Sequence, residues 1–437
     1  MRVVMIGAGY VGLVSGACFA DFGHVVVCVD KDPSKIERLE RGEIPIFEPG
    51  LDELVRNNVR EGRLSFALDG AEAIRQADAV FIAVGTPTRR GDGHADLSYV
   101  YAAAEEIAGL IQGFTVVVTK STVPVGTGDE VEAIIRRVNP DADFAVVSNP
   151  EFLREGAAIG DFKRPDRVVI GVNEADGDRA KDLMGELYRP LNLNESPLLF
   201  VGRRTSELIK YAANAFLAMK ITFINEMADL CEAVGADVQQ VARGIGLDKR
   251  IGAKFLHAGP GYGGSCFPKD TLALVRTAQQ HNTPTRLIEA TVEVNDMRKK
   301  AMAERIARTL GTSVAGKTVA MLGLTFKPDT DDMRDAPSLD IAAALLAAGA
   351  TVNAFDPEGM EEAAKLLEGV QMKASAYDAV IGADVVVIVT EWDQFRALDL
   401  DRLKLLMNRP VLVDLRNIYR PEDMARRGFK YSGIGRG

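Results

Sequence analysis

Short apolar runs alternate with helical patterns over residues 1–202. The runs contain no charged residue and are rich in β-branched side chains, which is typical of strands in a parallel sheet covered by helices on both faces. The pattern therefore predicts a doubly wound parallel sheet. The predicted strands are Val3–Ile6, Val25–Val29, Ala79–Val84, Thr115–Thr119, Phe144–Ser148 and Val168–Gly171.

A long helix is predicted next, from Thr205 to Val234, because this stretch contains neither proline nor glycine. Thr205 is a suitable N-cap residue. At ~1.5 Å per residue the helix would be about 45 Å long, enough to bridge two lobes. It is apolar on most faces, so we expect it to be buried, in part against a second subunit.

The strand and helix pattern returns at Lys317. We predict an α/β protein in which two Rossmann-like domains, each a doubly wound parallel sheet, are joined by a helical central domain that contains the long helix. The predicted domains are residues 1–202, 203–312 and 313–437. The elements predicted in the last of them are Val319–Leu322, Asp340–Ala348, Thr351–Phe355, Val385–Val389 and Val411–Asp414.

Composition narrows the possible partners. The 437 residues carry a formal net charge of −10 with no long basic run, which argues against binding to nucleic acid or an anionic membrane. Val3–Ala20 is uncharged, but its regularly spaced glycines and the strand that follows argue against a signal peptide or a membrane span. Four scattered cysteines favour the reducing cytoplasm, and four histidines without paired spacing predict no metal site.

The first strand leads into a GxGxxG motif formed by Gly7, Gly9 and Gly12. Such glycines permit a tight turn, close approach of the pyrophosphate and close packing of helix on strand. Asp30 ends the second strand, where a carboxylate accepts hydrogen bonds from the ribose hydroxyls. This favours NAD over NADP, although Lys35 lies close behind, and FAD is the main competing cofactor.

The glycine-rich segment GGSCFPKD combines three chemically active side chains. Lys269 and Asp270 follow Cys266 at three and four residues. A nearby lysine favours a nucleophilic thiolate, and a nearby carboxylate can activate water. Taken alone, these residues favour a buried structural cysteine over a nucleophile, because most unpaired cysteines pack as small hydrophobic side chains.

Three other groups of polar residues have possible functional roles. Pro150 suits a first helical turn, which would place Glu151 and Glu155 on one face, either as a functional pair or on a solvated surface. Lys210 and Asn214 have the same spacing on the long apolar helix, where polar groups require a ligand or a buried partner. The acidic loop between Lys327 and Arg334 is by default a solvated loop.

The motifs GAGYVGL, KSTVPVGT, NPEFLREG, GPGYGGSCFPKD and FKPDTDDMRDAPS together closely resemble the UDP-glucose/GDP-mannose dehydrogenase family. The resemblance extends from Met1 to Asn417 and reverses the conclusion on Cys266, which it implies is the nucleophile. It also implies that Lys210 stabilises the oxygen being oxidised and that Asn214 helps to form the oxyanion site. Water would be ordered and activated by Asp270, Glu155 and Thr122.

The resemblance also implies two binding sets. Residues expected to bind NAD are Gly7, Gly9, Tyr10, Val11, Gly12, Asp30, Lys35, Thr86, Thr122, Glu155, Lys269 and Arg334. Residues expected to bind the nucleotide sugar are Glu151, Phe152, Leu153, Arg154, Glu155, Lys210, Asn214, Arg250, Phe255, Leu256, His257, Ala258, Gly259, Gly263, Lys327 and Arg416. Arg250 is expected to reach the substrate of a neighbouring subunit in a homodimer built around the long helix. His257 lies where related enzymes vary, so it receives no catalytic role.

Ser265 and the AGPGY context look most like the UDP-glucose branch of the family. The implied reaction is a four-electron oxidation of UDP-glucose to UDP-glucuronate in two NAD-dependent steps through a cysteine thiohemiacetal and thioester. GDP-mannose or a UDP-N-acetylhexosamine is an alternative substrate. A two-electron β-hydroxyacid dehydrogenase leaves the Cys266 segment unexplained, and a nucleotide-sugar sensor without turnover leaves Cys266, Lys269 and Asp270 without a role.

Overall fold

The computed structural model describes residues 1–87, 89, 94–173, 177–194 and 197–436. The chain divides into two compact units, Met1–Ala213 and Asn214–Gly437. The predicted boundaries at residues 202 and 312 stay a prediction. Among the described residues, no helix combines the length and apolar character that crossing a membrane requires.

Unit 1 is built on an eight-stranded sheet within the described residues, in the order β3-β2-β1-β4-β5-β6-β7-β8. Its strands are β1 Arg2–Ile6, β2 Val25–Val29, β3 Leu64–Ala67, β4 Ala79–Ile82, β5 Thr115–Thr119, β6 Phe144–Ser148, β7 Val168–Val172 and β8 Leu198–Gly202. Its helices are α1 Tyr10–Asp21, α2 Pro33–Glu40, α3 Leu51–Arg60, α4 Ala71–Arg75, α5 Ser98–Ala108, α6 Thr127–Val138, α7 Ala158–Lys163, α8 Gly177–Leu187 and a 3-10 helix, Arg189–Asn194.

Both faces of this sheet are covered, as the continuous apolar strands predict. Along β1, Val3 and Met5 belong to one hydrophobic core, whereas Val4 and Ile6 belong to another, because successive side chains of a strand point to opposite faces. The strand order reverses between β1 and β4, whose carboxyl ends therefore border the crevice where ligands bind in such sheets.

The long helix is α9, Arg203–Val234, which is 32 residues long. The division between the two units falls within it. The helix begins two residues before Thr205, so the predicted N-cap is wrong. Unit 2 continues with α10 Val238–Gly246, α11 Phe267–Gln280 and α12 Arg286–Leu310.

The second sheet has the order β11-β10-β9-β12-β13-β14 and is parallel throughout the described residues. Its elements are β9 Thr318–Leu322, α13 Pro337–Ala347, β10 Thr351–Phe355, α14 Met360–Leu366, β11 Gln371–Met372, α15 Ala376–Val380, β12 Val385–Ile388, α16 Asp393–Arg396, α17 Leu400–Leu406, β13 Val411–Asp414, α18 Pro421–Arg426 and β14 Lys430–Gly433. The predicted fold class, two parallel-sheet α/β domains with a helical central region, is confirmed.

One strand departs from the predicted parallel arrangement. Strand β7 pairs antiparallel with β6, through Ser148 and Gly171. The close contact at Gly171 fits a glycine, since a Cβ there would lie 2.5 Å from the Cβ of Ser206. The apolar run at Val168 therefore predicted a strand correctly but its direction wrongly.

Candidate active site

The GxGxxG motif forms the turn between β1 and α1. Gly7 has φ 102°, and a Cβ at Gly7 would lie 2.6 Å from the carbonyl oxygen of Ala83. A Cβ at Gly12 would lie 1.8 Å from the Gly7 carbonyl oxygen. At Gly9 a Cβ would meet no atom within 4 Å, so this side of the turn is open. The open side, at the N-terminus of α1, is where a pyrophosphate is expected.

Asp30 is held beside this turn. Its carboxylate accepts hydrogen bonds from the Ala8 N–H at 2.8 Å and from Lys35 Nζ at 2.7 Å. The Asp30 and Lys35 side chains remain 14% and 28% exposed, so both groups are accessible to a ligand. Lys35 thus partly neutralises the Asp30 carboxylate, whose negative charge disfavours the 2′-phosphate of NADP.

The carboxyl ends of β4 and β5 bring together two other residues predicted to bind NAD. The Thr86 hydroxyl donates to the carbonyl oxygen of Thr122 at 2.9 Å. Thr122 lies in the loop that follows β5, and Thr86 in the loop that follows β4. Both loops leave the sheet at its carboxyl edge, where ligands bind in open α/β sheets.

Glu151 and Lys210 form a buried ion pair, with 2.9 Å between the Glu151 Oε1 and Lys210 Nζ atoms and side chains 6% and 4% exposed. The ammonium also lies 5.3 Å from the ring centre of Phe152. Burial raises the pKa of the Glu151 carboxyl, but Lys210 and the hydrogen bond from the Leu153 N–H outweigh burial, so its pKa lies below the ordinary value.

The predicted helical turn at Pro150 is wrong. Residues 151–154 are irregular, and α7 begins only at Ala158, after Gly156 with φ 80°. Glu151 instead points to Lys210, and its second oxygen accepts the Leu153 N–H at 2.5 Å. Glu151 and Glu155 therefore do not share one face of a helix.

Arg154 forms an ion pair with Asp161 at 2.6 Å, and its side chain is 59% exposed. This ion pair connects the irregular segment, residues 151–154, to helix α7, which contains Asp161. Of the predicted substrate residues in this segment, Glu151 is thus buried with Lys210, whereas Arg154 faces solvent.

Glu48 was not recognised from the sequence, although it contacts residues of the candidate site. This buried carboxylate accepts hydrogen bonds from the Tyr10 hydroxyl and from the N–H groups of Gly156 and Ala158, the last two at 2.7 and 2.8 Å. Burial and the contact with Glu48 raise the pKa of the Tyr10 phenol. Glu48 thereby ties the dinucleotide turn to the segment that contains Glu155. Its partners lie up to 110 residues away, and no local signal marks them.

Lys120 was also missed. It is buried, its Nζ lies 3.1 Å from Asn149 Oδ1 and 3.3 Å from the Tyr188 hydroxyl, and burial lowers its pKa to about 8. The hydroxyl of Tyr188 also donates to Asn149 Oδ1 at 2.6 Å. The sequence signal was a lysine placed directly after the apolar strand β5, at its carboxyl end.

Unit 2 brings together the polar residues near the predicted nucleophile. Asn214 Nδ2 donates to Asp270 Oδ2 at 2.6 Å, and Lys269 Nζ lies 2.9 Å from Asp270 Oδ1. Cys266 is half-buried and is the N-cap residue of α11. A helix N-terminus favours a thiolate, because the unpaired N–H groups there carry partial positive charge.

The glycines before Cys266 are required by close packing within unit 2. A Cβ at Gly263 would lie 2.3 Å from the carbonyl oxygen of Asp335. Gly264 has φ 86°, and its N–H donates to the Arg334 carbonyl oxygen at 2.8 Å. These contacts fix the path of the loop that leads to Cys266.

The predicted substrate loop, residues 255–259, offers a ligand some side chains and, at its buried positions, only the backbone. Leu256 and Ala258 are buried in a hydrophobic core, so a ligand would meet only their backbone. Phe255 has φ 66°, and His257 is exposed. The loop ends at Gly259, where a Cβ would lie 3.1 Å from the Arg416 guanidinium.

Three predicted cations of unit 2 have acidic, carbonyl or aromatic neighbours. Arg416 forms an ion pair with Glu391 at 3.0 Å and donates to the Phe326 carbonyl oxygen at 3.1 Å. Arg334 forms an ion pair with Asp332 at 2.8 Å and is 63% exposed. The Lys327 ammonium lies 5.3 Å from the Phe326 ring centre.

Arg250 is 89% exposed and forms an ion pair with Asp248 at 2.6 Å. The turn that carries it is held by Lys220, which donates to the carbonyl oxygens of Ile251 and Gly252 at 2.9 and 3.2 Å. The side chain thus projects from unit 2 into solvent, and its acidic partner Asp248 is partly buried. Among the described residues, no group of three His, Cys, Asp or Glu side chains is placed to hold a metal ion.

Known proteins match this chain over its full length. It is 69% identical to a UDP-glucose 6-dehydrogenase of Rhizobium meliloti, with all of both chains covered, and 49% identical to one of Pseudomonas aeruginosa, with 100% of this chain and 98% of the relative covered. A solved UDP-glucose dehydrogenase of Pyrobaculum islandicum superposes with a TM-score of 0.91 at 39% identity, covering 100% of this chain and 98% of that one.

Three domain models of one family match in sequence order. The NAD binding domain matches residues 1–192, the central domain residues 204–297, and the UDP binding domain residues 320–421. The chain belongs to the UDP-glucose/GDP-mannose dehydrogenase family, whose N-terminal domain binds NAD.

Proposed function

We propose that this protein is a UDP-glucose 6-dehydrogenase, which oxidises the C6 alcohol of UDP-glucose to the carboxylate of UDP-glucuronate in two NAD-dependent steps. The observation that carries the proposal is the 69% identity, without a gap in coverage, to a relative of that name. The UDP binding domain matched at residues 320–421 supports a UDP moiety. The three separate domain matches also support the division at residues 202 and 312.

The dinucleotide turn fits NAD, which accepts one hydride in each of the two oxidations. Gly7 and Gly12 leave no room for side chains, whereas the side of Gly9 is open toward the N-terminus of α1. The N–H groups there would hold the pyrophosphate, and Asp30 would accept hydrogen bonds from the ribose hydroxyls. Thr86 and Thr122 belong to the same proposed cofactor site.

Lys210 and Glu151 act in the first oxidation, from alcohol to aldehyde. Lys210 donates a hydrogen bond to the C6 oxygen as negative charge develops on it, and the Glu151 carboxylate, 2.9 Å away, fixes the ammonium in place. A donor placed in a buried setting stabilises such an oxygen more than it would in water. Asn214 supplies a second donor.

Cys266 acts in the second oxidation. Its thiolate adds to the aldehyde carbon to give a thiohemiacetal, which becomes a thioester when its carbon loses a hydride and its hydroxyl group loses a proton. Water then attacks the thioester carbonyl carbon, the C–S bond breaks, the carboxylate product leaves, and the Cys266 thiol is regenerated. Asp270, Glu155 and Thr122 order this water, and Asp270 or Glu155 takes its proton.

We also propose a homodimer in which Arg250 reaches the substrate of the partner subunit. Phe216, Phe223 and Leu230 recur every seven residues on α9 and are 56%, 45% and 53% exposed. Such a stripe on one face of a helix is typical of an interface with another helix. The double variant Phe216→Glu/Phe223→Glu should be a monomer when its mass is measured by light scattering. A mass equal to that of the wild-type dimer would refute this interface.

A cytoplasmic location is part of the proposal. Cys18, Cys28 and Cys231 are buried as thiols, which supports a reducing compartment.

The proposed function is tested by measuring kcat/KM with UDP-glucose, GDP-mannose, UDP-N-acetylglucosamine and UDP-N-acetylmannosamine. UDP-glucose should give the highest value, with UDP-glucuronate as the product by mass spectrometry. A higher value with another nucleotide sugar would refute the proposed substrate. Cys266→Ser should release almost no acid, whereas Cys231→Ala controls for the loss of a thiol elsewhere.

A further inference from the structure

Two backbone segments of the glycine-rich loop before Cys266 are bound by side chains of neighbouring helices. The Gly259 N–H donates to Asn225 Oδ1 at 2.8 Å, and the Gly259 carbonyl oxygen accepts from Arg298 Nε at 2.6 Å. At Tyr262 the backbone N–H donates to Asn295 Oδ1 at 2.8 Å, and the carbonyl oxygen accepts from Asn295 Nδ2 at 3.1 Å.

The three side chains that make these contacts are themselves buried, at 1% exposure for Asn225, 4% for Asn295 and 7% for Arg298. Asn225 lies on α9, whereas Asn295 and Arg298 lie one turn apart on α12. Buried amide and guanidinium groups are costly unless paired, so their pairing with the loop backbone strongly favours this one loop conformation.

A second nitrogen of the Arg298 guanidinium binds helix α9. The NH1 group lies 2.9 Å from both carboxylate oxygens of Asp229 and donates to the Asn225 carbonyl oxygen at 3.3 Å. Asn225 and Asp229 are one turn apart on α9. The guanidinium therefore links α9 to the loop, so that Gly259 is held at both its N–H and its carbonyl oxygen from two helices.

The loop itself has little freedom between the two held points. Gly261 has φ 121°, and a Cβ there would lie 2.9 Å from Lys299 Cγ and 3.0 Å from Asn295 Oδ1. Gly259 lies against the Arg416 guanidinium, and Gly263 against the Asp335 backbone. A shift of the loop backbone would therefore move the predicted nucleotide-sugar contacts at Gly259 and Gly263 together.

We propose that Asn225, Asn295 and Arg298 are positioning residues for the nucleotide sugar, which hold the backbone of residues 259–262 in the conformation that binds it. The inference rests on the proposed function for the identity of the ligand. None of the three side chains is assigned a contact with the substrate. They act through the position of the loop.

The two asparagines provide a matched pair of variants. Asn225 uses only its oxygen, since its Nδ2 atom has no hydrogen-bond partner among the described residues. Asn225→Asp therefore keeps the acceptor for the Gly259 N–H, and the new charge lies next to Arg298. Asn295 uses both its oxygen and its nitrogen, so Asn295→Asp places a carboxylate oxygen against the Tyr262 carbonyl oxygen.

The experiment measures KM for UDP-glucose and for NAD in the full-length wild type, Asn225→Asp, Asn225→Leu and Asn295→Asp. Asn225→Leu and Asn295→Asp should raise KM for UDP-glucose at least about tenfold, as loss of a buried hydrogen bond predicts, and KM for NAD less than about threefold. Asn225→Asp should stay within about threefold of wild type for both. Equal KM values for UDP-glucose in Asn295→Asp and wild type, or parallel losses in the two aspartate variants, would overturn the proposal.

Hydrogen exchange of the unliganded protein tests the loop without any assumption about the substrate. The backbone amides of Gly259 and Tyr262 should exchange slowly in wild type and Asn225→Asp. Gly259 should exchange faster in Asn225→Leu, and Tyr262 faster in Asn295→Asp. Unchanged exchange in both would overturn the proposal. Failure of the wild type to oxidise UDP-glucose would refute the proposed function instead, and KM would then be measured with whichever nucleotide sugar the wild type oxidises.

Discussion

The side-chain amide of Asn214 donates to the buried carboxylate of Asp270 at 2.6 Å, although the two residues lie 56 positions apart in the chain. Asp270 is only 1% exposed, and Lys269 lies 2.9 Å from its other oxygen. Both oxygens of the Asp270 carboxylate are therefore held by neighbouring side chains. Asp270 lies in the first turn of α11, and this helix begins directly after Cys266. This arrangement ties the proposed oxyanion donor to the proposed water-activating base.

Asn214→Ala should accordingly lower kcat by about 10²–10³, the range found for loss of a single oxyanion donor. The substitution removes a donor to the reacting oxygen and also leaves one Asp270 oxygen without its partner. Steady-state kinetics with saturating NAD and UDP-glucose would measure the effect. A kcat within about twofold of wild type would exclude a role for this amide in the reaction, since such a change is less than ~0.5 kcal/mol.

The Asp30–Lys35 pair predicts a preference for NAD that depends on the carboxylate. With Asp30 present, a 2′-phosphate meets a like charge, so kcat/KM should be higher with NAD than with NADP. Asp30→Ser should reduce the NAD/NADP ratio of kcat/KM at least about tenfold, or ~1.4 kcal/mol, because Lys35 would then face the 2′ position unopposed. The same ratio in Asp30→Ser and wild type would show that Asp30 does not face the 2′ oxygen.

Glu151→Gln should destabilise the protein by about 3–5 kcal/mol, because it leaves the buried Lys210 ammonium without its carboxylate. The pKa of Glu151 lies below its ordinary value in the folded protein, chiefly because Lys210 outweighs the opposing effect of burial. The stabilisation provided by the ionised Glu151 side chain is thus complete above the unfolded pKa of about 4.3, and it is lost as the pH falls through the lower pKa of the folded state. The difference in Tm between wild type and Glu151→Gln should therefore shrink only below about pH 4. A difference that shrinks between pH 7 and pH 5 would be inconsistent with a lowered Glu151 pKa.

Lys120 affects the pH dependence of stability in the alkaline range. Burial lowers its pKa to about 8, so the folded protein releases the proton before the unfolded chain does. Between pH 8 and about 10.4 the unfolded state binds more protons, and this lysine makes stability rise with pH. Lys120→Met should abolish that rise and increase Tm at pH 7, while Tyr188 still donates to Asn149. Melting curves of both proteins at pH 7 and pH 9.5 measure the difference, and a Tm difference that does not change with pH would refute the lowered pKa.

The sequence predicted those parts of the fold that leave a local signal. Strands such as Val25–Val29 are uninterrupted apolar runs, and the bounds of this one are as predicted. Strand β8 was missed although Leu198–Gly202 begins with four apolar residues, because a short apolar run does not by itself distinguish a strand from other structure. The direction of β7 depends on its connection to β6, not on its own residues.

The sequence identified residues of the candidate site but not the contacts that they make. The motifs placed Lys210, Asn214 and Asp270 among the functional residues, but their partners depend on tertiary contacts. Pro150 signalled a helix start, but Glu151 instead lies in an irregular segment and forms an ion pair with Lys210. Glu48 could not be recognised, because its role arises from backbone N–H groups more than 100 residues away.

A four-electron oxidation at a single nucleotide-sugar site fixes the ratio of NADH formed to UDP-glucose consumed. UDP-glucose would be supplied in limiting amount with excess NAD, with NADH followed by absorbance and the sugar products by mass spectrometry. A four-electron oxidation predicts two NADH per UDP-glucose, with UDP-glucuronate as the sole sugar product. One NADH per UDP-glucose with accumulated aldehyde would contradict it.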